Sequence, residues 1–129
     1  MPDNPTNQTG VIREIHRIGG ASIENLRLKP REQTLRVPGI SVLKAASPLE
    51  AARQVRSAFP RARKLHEAAK IVGSTTVELV RSVGFDVFPF PSVALPNHCR
   101  IIHPEGTDGF TDENLVRLAA VFDESLGDE

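Results

Sequence analysis

The apolar residues in the first third of the chain predict two short strands joined by an irregular segment. Residues 11–18 mix apolar and polar side chains, are rich in isoleucine and stop at a pair of glycines, as a strand before a turn does. Residues 26–38 are polar, basic and interrupted by a proline, which predicts an irregular excursion. A Pro-Gly pair then leads into residues 40–43, which predict the second strand.

The middle of the chain predicts three consecutive helices. Ser47, with Glu50 three residues later, forms a capping box, and apolar residues then recur at helical spacing until a proline ends the run. Residues 60–72 predict a second helix that ends at a glycine. Thr75 and Glu78 form another capping box, which predicts a third helix ending before the next glycine.

The last third of the chain returns to strand character and ends in a helix. Residues 85–88 and 98–103 predict two strands, each closed by a proline. Thr111 is a suitable N-cap for a final helix, whose apolar stripe includes Leu115 and Leu118. Strands and helices do not alternate regularly, so the pattern favours an α+β fold over a doubly wound parallel sheet. We expect a polar, disordered tail over residues 1–10 and a single globular domain over residues 11–126.

Composition places the chain among ordinary globular domains. It has 129 residues, 40% of them hydrophobic and 25% charged, and its one cysteine permits no internal disulfide. No apolar run approaches the roughly 20 residues of a membrane span, and the first residues lack a signal peptide. We therefore expect a cytoplasmic protein without membrane association.

The formal net charge is zero, but the charges are unevenly distributed. Residues 13–44 and residues 45–81 each hold seven basic and three acidic residues. Residues 105–129 hold eight acidic residues and only Arg117 as a basic one. A basic body with an acidic C-terminal segment suits an anionic ligand, although internal charge complementarity explains it equally well.

Local motifs exclude several functions and leave one DNA-binding hypothesis. The chain has no Walker phosphate loop, dinucleotide glycine fingerprint or nucleophile elbow. His98, Cys99 and His103 do not form a closed zinc site, because a strand places only two of them on one face, so no metal is expected. Ala69 and Gly73, followed by an apolar residue six positions later, fit a helix-turn-helix and make a DNA-binding regulator one alternative.

Three short stretches together resemble a known family. They are residues 16–22 (HRIGGAS), residues 38–42 (PGISV) and residues 97–104 (NHCRIIHP). They resemble the compact ADP-ribosyltransferase-like toxin domains of type VI secretion effectors and polymorphic bacterial toxins. The resemblance implies a split β-core around a cleft for NAD. Together with the pattern above, it leads us to expect a small split β-core of about four to five strands with three central helices and a C-terminal helix.

The resemblance also implies roles for individual residues. Arg17 would hold the phosphates or ribose of NAD, Ser41 would support the nicotinamide ribose, and His98 would line the cleft as the third catalytic position. The backbone at Gly19 and Gly20 would lie close to the dinucleotide. Each residue also has a purely structural interpretation. Arg17 would be a solvated arginine at the end of a strand and Ser41 an ordinary strand serine. His98 would be a histidine with structural hydrogen bonds, and the two glycines would form a plain turn.

The chain departs from the family pattern at two points. Cys99 stands where the family has an aromatic residue, and no glutamate lies in a late strand, because Glu105 is expected in a turn and Glu113 in a helix cap. The fold without transferase activity is therefore an alternative, as is a small interaction module with an acidic C-terminal helix. The implied partners are a protein or nucleic-acid target and a cognate antitoxin or immunity protein, with delivery into a target cell.

Overall fold

The structure, a computed structural model that describes residues 13–128, contains one antiparallel β-sheet. Its strands are β1 (Glu14–Ile18), β2 (Ile40–Lys44), β3 (Ile71–Thr76), β4 (Asp86–Pro89), β5 (His98–Ile102) and β6 (Asp123–Leu126). Their order across the sheet is β4-β5-β2-β1-β3-β6, and every neighbouring pair is antiparallel. The predicted tail over residues 1–10 and the first two residues of the predicted first strand lie outside the described residues.

Six α-helices and one 3₁₀ turn connect these strands. The helices are α1 (Ile23–Leu26), α2 (Pro30–Gln33), α3 (Pro48–Ala58), α4 (Arg63–Ala68), α5 (Val77–Ser82) and α6 (Asp112–Ala119), and the 3₁₀ turn is Gly106–Gly109. The α+β fold class is confirmed, with one or two more strands in the described residues than expected. None of the described helices has the length and apolar character needed to cross a bilayer.

Helices cover both faces of the sheet. Alternate residues of β2 and β5, such as Val42 and Ile101, point to one face, where α5 and α6 bury Val80 and Leu118 against them. The residues between them, such as Leu43, point to the other face and pack against Ala51 and Val55 of α3. Each face of the sheet is thus covered by its own group of apolar contacts.

The sheet is divided between β1 and β2. These strands share only two residue pairs, Ile15 with Lys44 and His16 with Leu43. By contrast, β1 and β3 share five pairs and β2 and β5 share four. Pairing stops before Arg17, so the halves β4-β5-β2 and β1-β3-β6 are joined at one end only.

The predicted caps of the two long helices are confirmed. The Ser47 hydroxyl accepts a hydrogen bond from the Glu50 backbone N–H at 3.1 Å, and the helix that it caps begins with a proline. The Thr111 hydroxyl accepts one from the Asn114 N–H at 3.1 Å at the start of α6. Local capping chemistry therefore determines where α3 and α6 begin.

The predicted helix over residues 60–72 is wrong at both ends, because α4 covers only Arg63–Ala68. Helix α4 ends at Ala68, and the next residues form β3, which pairs with the whole length of β1. The third helix begins one residue later than expected, because Thr76 is its N-cap. Thr75 is a strand residue whose hydroxyl donates to the Val121 carbonyl at 2.7 Å.

The predicted helix-turn-helix is also wrong. Ala69 caps the C-terminus of α4, and Gly73 lies in the middle of β3 opposite Arg17. A strand thus separates the two helices that the motif requires to be adjacent.

Two further segments differ from expectation. The excursion over residues 26–38 contains the short helix α2, and the acidic end of the chain returns to the sheet as the exposed edge strand β6. Pairing of β6 with β3 depends on contacts between distant parts of the chain, which a local pattern does not show.

The two faces of α6 provide a test of this packing. Leu118 is fully buried and Val116 on the same helix is half exposed. Leu118→Ala should lower the free energy of unfolding by about 2–5 kcal/mol, since it removes buried methyl groups and leaves a cavity. Val116→Ala is the matched control and should change it by about 0.5 kcal/mol or less. Equal losses for the two variants in urea unfolding would contradict the packing.

Candidate anion-binding cleft

A cleft of about 480 Å³ lies where β1 and β2 separate. Its volume falls within the range of small-molecule sites. Its polar lining consists of His16, Arg17, Asn25, Lys29, Arg31, Ser41 and His98, and its apolar lining of Ile18, Val42, Leu43, Val55, Phe59, Leu65, Ala68 and Leu95. Three predicted site residues, Arg17, Ser41 and His98, therefore meet in a single cleft.

Arg17 spans the gap between the two halves of the sheet. Its Nη1 donates to the Ser41 carbonyl of β2 at 2.9 Å. Its Nε and Nη2 donate to the Asn25 carbonyl at 3.2 Å and 2.7 Å. The residue is only 8% exposed, which excludes the interpretation of a solvated arginine at the end of a strand.

The positive charge of Arg17 has no carboxylate partner among residues 13–128 within salt-bridge distance. Burial lowers the pKa of its guanidinium, an effect that the more distant Glu32 opposes. Arginine nevertheless remains protonated in proteins, so the cleft contains a buried cation. Buried charges are normally paired, because removing them from water is costly.

Two exposed cations line the same cleft as this buried charge. Lys29, the N-cap of α2, and Arg31 within that helix also line the cleft, and no aspartate or glutamate among residues 13–128 does. Such a lining attracts anions and repels cations. Sequence reasoning missed both residues, although the basic excess of residues 13–44 was the available signal.

The turn after β1 explains how Arg17 acquires its partners. Gly19 and Gly20 both adopt positive φ, near +90°, and turn the chain back toward α1. The Asn25 side chain in α1 then donates to the Ile18 carbonyl at 3.2 Å and also to the Gly20 carbonyl. This folds α1 over Arg17 and presents the Asn25 carbonyl to it. Neither glycine lines the cleft, so the structure gives them a role in shaping the turn.

His98 has one ring nitrogen fixed by the backbone. Nδ1 lies 2.9 Å from the Phe90 carbonyl, which can only accept, so Nδ1 carries the hydrogen. In the neutral ring, Nε2 then has the free lone pair. The Ser41 hydroxyl makes no hydrogen bond to another residue within the described range, so it also has bonding capacity for a ligand.

His16 is a structural histidine at the base of the cleft. It is fully buried, with Nε2 at 2.9 Å from the Ala45 carbonyl and Nδ1 at 2.7 Å from the Ser74 hydroxyl. Burial lowers its pKa, whereas the bond to Ala45 and the charge of Glu14 act in the opposite direction. A neutral ring satisfies both contacts, with Nε2 donating and Nδ1 accepting.

Cys99, His103 and the late glutamates contribute nothing to the cleft lining. Cys99 is 2% exposed in the core, and burial raises the pKa of its thiol, as suits a small core residue. His103 packs edge-on against Phe85, with ring centroids 5.0 Å apart. Glu105 precedes the 3₁₀ turn and Glu113 lies in the first turn of α6. Residues 13–128 contain no group of three or more potential metal ligands.

The buried state of His16 predicts a pH dependence of stability. Folding lowers its pKa, so the unfolded chain binds the proton more readily than the folded chain. The contribution of His16 to the free energy of unfolding is fully present above the pKa of the unfolded chain, about 6.5. It is lost as the pH falls through the lower pKa of the folded chain. Between about pH 7.5 and pH 5, the melting temperature of wild type should fall more than that of His16→Gln. The glutamine keeps a hydrogen-bond donor and an acceptor at this position but does not titrate. Parallel pH profiles of the two proteins in thermal unfolding would contradict this account.

Comparisons with known proteins identify no relative of this chain. No family model, no curated protein and no solved structure matches the chain significantly. What the chain does must therefore be argued from the cleft itself.

Proposed function

We propose that the cleft binds an anionic nucleotide, specifically NAD, and that the chain is a toxin-like domain of the ADP-ribosyltransferase type. The observation that carries this proposal is the buried guanidinium of Arg17, which forms no salt bridge with a carboxylate of residues 13–128. It lies in a cleft that two further cations line. A phosphate group would supply a negative charge within salt-bridge distance of Arg17, where the described residues place none. The resemblance of three stretches of the sequence to ADP-ribosyltransferase-like toxins supports NAD in particular.

Arg17 retains donors for this purpose. An arginine has five N–H donors, and the carbonyls of Asn25 and Ser41 engage three of them. One hydrogen on each terminal nitrogen is left for a ligand, and a guanidinium binds phosphate oxygens through such pairs. The two carbonyls also hold the guanidinium in place before the ligand arrives, which lowers the entropy lost on binding.

The remaining cleft residues suit the transfer of ADP-ribose. The reaction breaks the bond between the nicotinamide nitrogen and the ribose carbon, and an acceptor nucleophile forms a new bond to that carbon. His98 Nε2 would take the proton that the acceptor loses, and the Ser41 hydroxyl would hydrogen-bond the ribose. Because no carboxylate in the described part of the chain lines the cleft, the chain would act mainly by orienting its substrate and through the field of its cations.

The toxin interpretation also defines the partners. The acceptor would be a protein or nucleic acid in the cytoplasm of a target cell, where NAD is present. A cognate immunity protein or antitoxin would have to cover a basic cleft, so we expect it to present acidic residues there.

Calorimetric titration with NAD tests the proposed function. Wild type should bind, and Arg17→Ala should bind about 10- to 100-fold more weakly, since a hydrogen bond to a charged group contributes about 1.5–3 kcal/mol. Arg17→Lys keeps the charge but not the planar fork, so it should also bind more weakly than wild type. The control is Arg117→Ala, which removes the same charge from the exposed surface of α6.

Two results would overturn this proposal. One is the absence of NAD binding by wild type at millimolar concentration, and the other is equal affinity in wild type and Arg17→Ala, provided that circular dichroism shows both to be folded. Binding without release of nicotinamide would retain the nucleotide site and remove the transferase step.

A further inference from the structure

A second cavity of about 520 Å³ adjoins the basic cleft. Its own walls are Pro89, Phe90, Pro91, Ser92 and Arg100, and it shares His98 and Leu95 with the cleft. The cleft and this cavity therefore lie side by side, with His98 at their shared boundary.

The wall of this cavity contains a preformed stack. The guanidinium carbon of Arg100 lies 4.2 Å from the centroid of the Phe90 ring, a cation–π geometry. Arg100 is also held by the Val37 carbonyl, which accepts from its Nη1 at 2.9 Å. Both members of the stack are half-buried, so their positions are restricted before any ligand binds.

Backbone and side-chain hydrogen bonds fix Phe90 next to His98. The Phe90 N–H donates to the His98 carbonyl at 2.9 Å. The Phe90 carbonyl in turn accepts from His98 Nδ1 at 2.9 Å. The same histidine thus belongs to the proposed reaction site and holds the backbone of the residue whose ring lines the neighbouring cavity.

The register of the sheet connects the cavity to Arg17. Arg100 on β5 is the direct partner of Ser41 on β2, whose carbonyl accepts from Arg17. Neighbouring strands lie about 4.8 Å apart. Arg17 therefore contacts the backbone of Ser41 from the β1 side, and the backbone of Arg100 lies beside the same residue on the β5 side. A ligand longer than a phosphate is needed to contact both arginines.

We propose that Phe90 and Arg100 form a subsite for the planar aromatic ring of the nucleotide whose phosphate is bound by Arg17. This inference rests on the proposed function and extends it. Aromatic rings and guanidinium planes are the surfaces on which nucleotide bases stack in proteins, and the stack is independent of base identity. In NAD the ring is either adenine or nicotinamide, and both present the required flat face.

Three probes separate the phosphate site from the ring subsite: pyrophosphate, ADP and nicotinamide mononucleotide. In calorimetric titrations Phe90→Leu should weaken binding of a ring-bearing ligand by about tenfold or more, since stacking contributes about 1–3 kcal/mol per base. The affinity for pyrophosphate should stay unchanged. Arg100→Lys, which keeps the charge and loses the plane, should show the same selectivity. Arg53→Lys on the exposed surface of α3 is the matched control and should change nothing.

The outcomes distinguish the two proposals. If Phe90→Leu weakens the binding of ADP alone, the stacked ring is adenine. If it weakens the binding of nicotinamide mononucleotide alone, the stacked ring is nicotinamide. Either result supports the subsite. Unchanged affinities for both ring-bearing ligands in Phe90→Leu and Arg100→Lys would overturn it and leave the Arg17 site intact. Failure of wild type to bind any of the three probes or NAD itself would overturn both proposals.

Discussion

The hydrogen bond from the Arg17 guanidinium to the Ser41 carbonyl is the contact on which the cleft depends. The backbone ladder between β1 and β2 ends after His16, and beyond that point this side chain connects the two strands. A continuous ladder would have closed the sheet and left no space between its halves. Because the connection is made by a charged side chain, the opening created in the sheet contains a positive charge.

This opening is held by rigid surroundings. At its base, His16 links three parts of the chain: it pairs with Leu43 in the sheet and bonds to the Ala45 carbonyl and the Ser74 hydroxyl. On either side, β1 pairs fully with β3 and β2 pairs with β5, so each wall belongs to its own stable group of strands. Helices on both faces then bury the apolar residues of each half. The width of the cleft is therefore set by packing and not by a flexible loop.

The parts of the fold that the sequence predicted are those with local signals. Ser47 and Thr111 are helix caps that act within three residues, so α3 and α6 were predictable. Strand β3 was not, because its Gly73 and Thr75 imitate a helix stop and a cap, whereas its actual partners lie more than fifty residues earlier in β1. Pairing with a distant strand outweighed the local preference.

The same distinction holds for the site. Arg17, Ser41 and His98 were found through a family resemblance, and the structure brings them to one cleft. Asn25, Lys29 and Arg31 were missed, because no periodic pattern shows where an irregular basic segment returns to the sheet. The pairing of Phe90 with Arg100 was equally hidden, since the prolines around Phe90 indicated only the end of a strand.

The most direct test of the central claim observes the guanidinium itself. In a nitrogen-15 spectrum of the arginine side chains, the Nε–H signal of Arg17 should shift in a saturable way as NAD is added. The signal of Arg117, an exposed residue of α6 that does not line the cleft, should not move. A titration in which Arg17 does not respond, or in which all arginines shift alike, would show that the buried charge is not a nucleotide site.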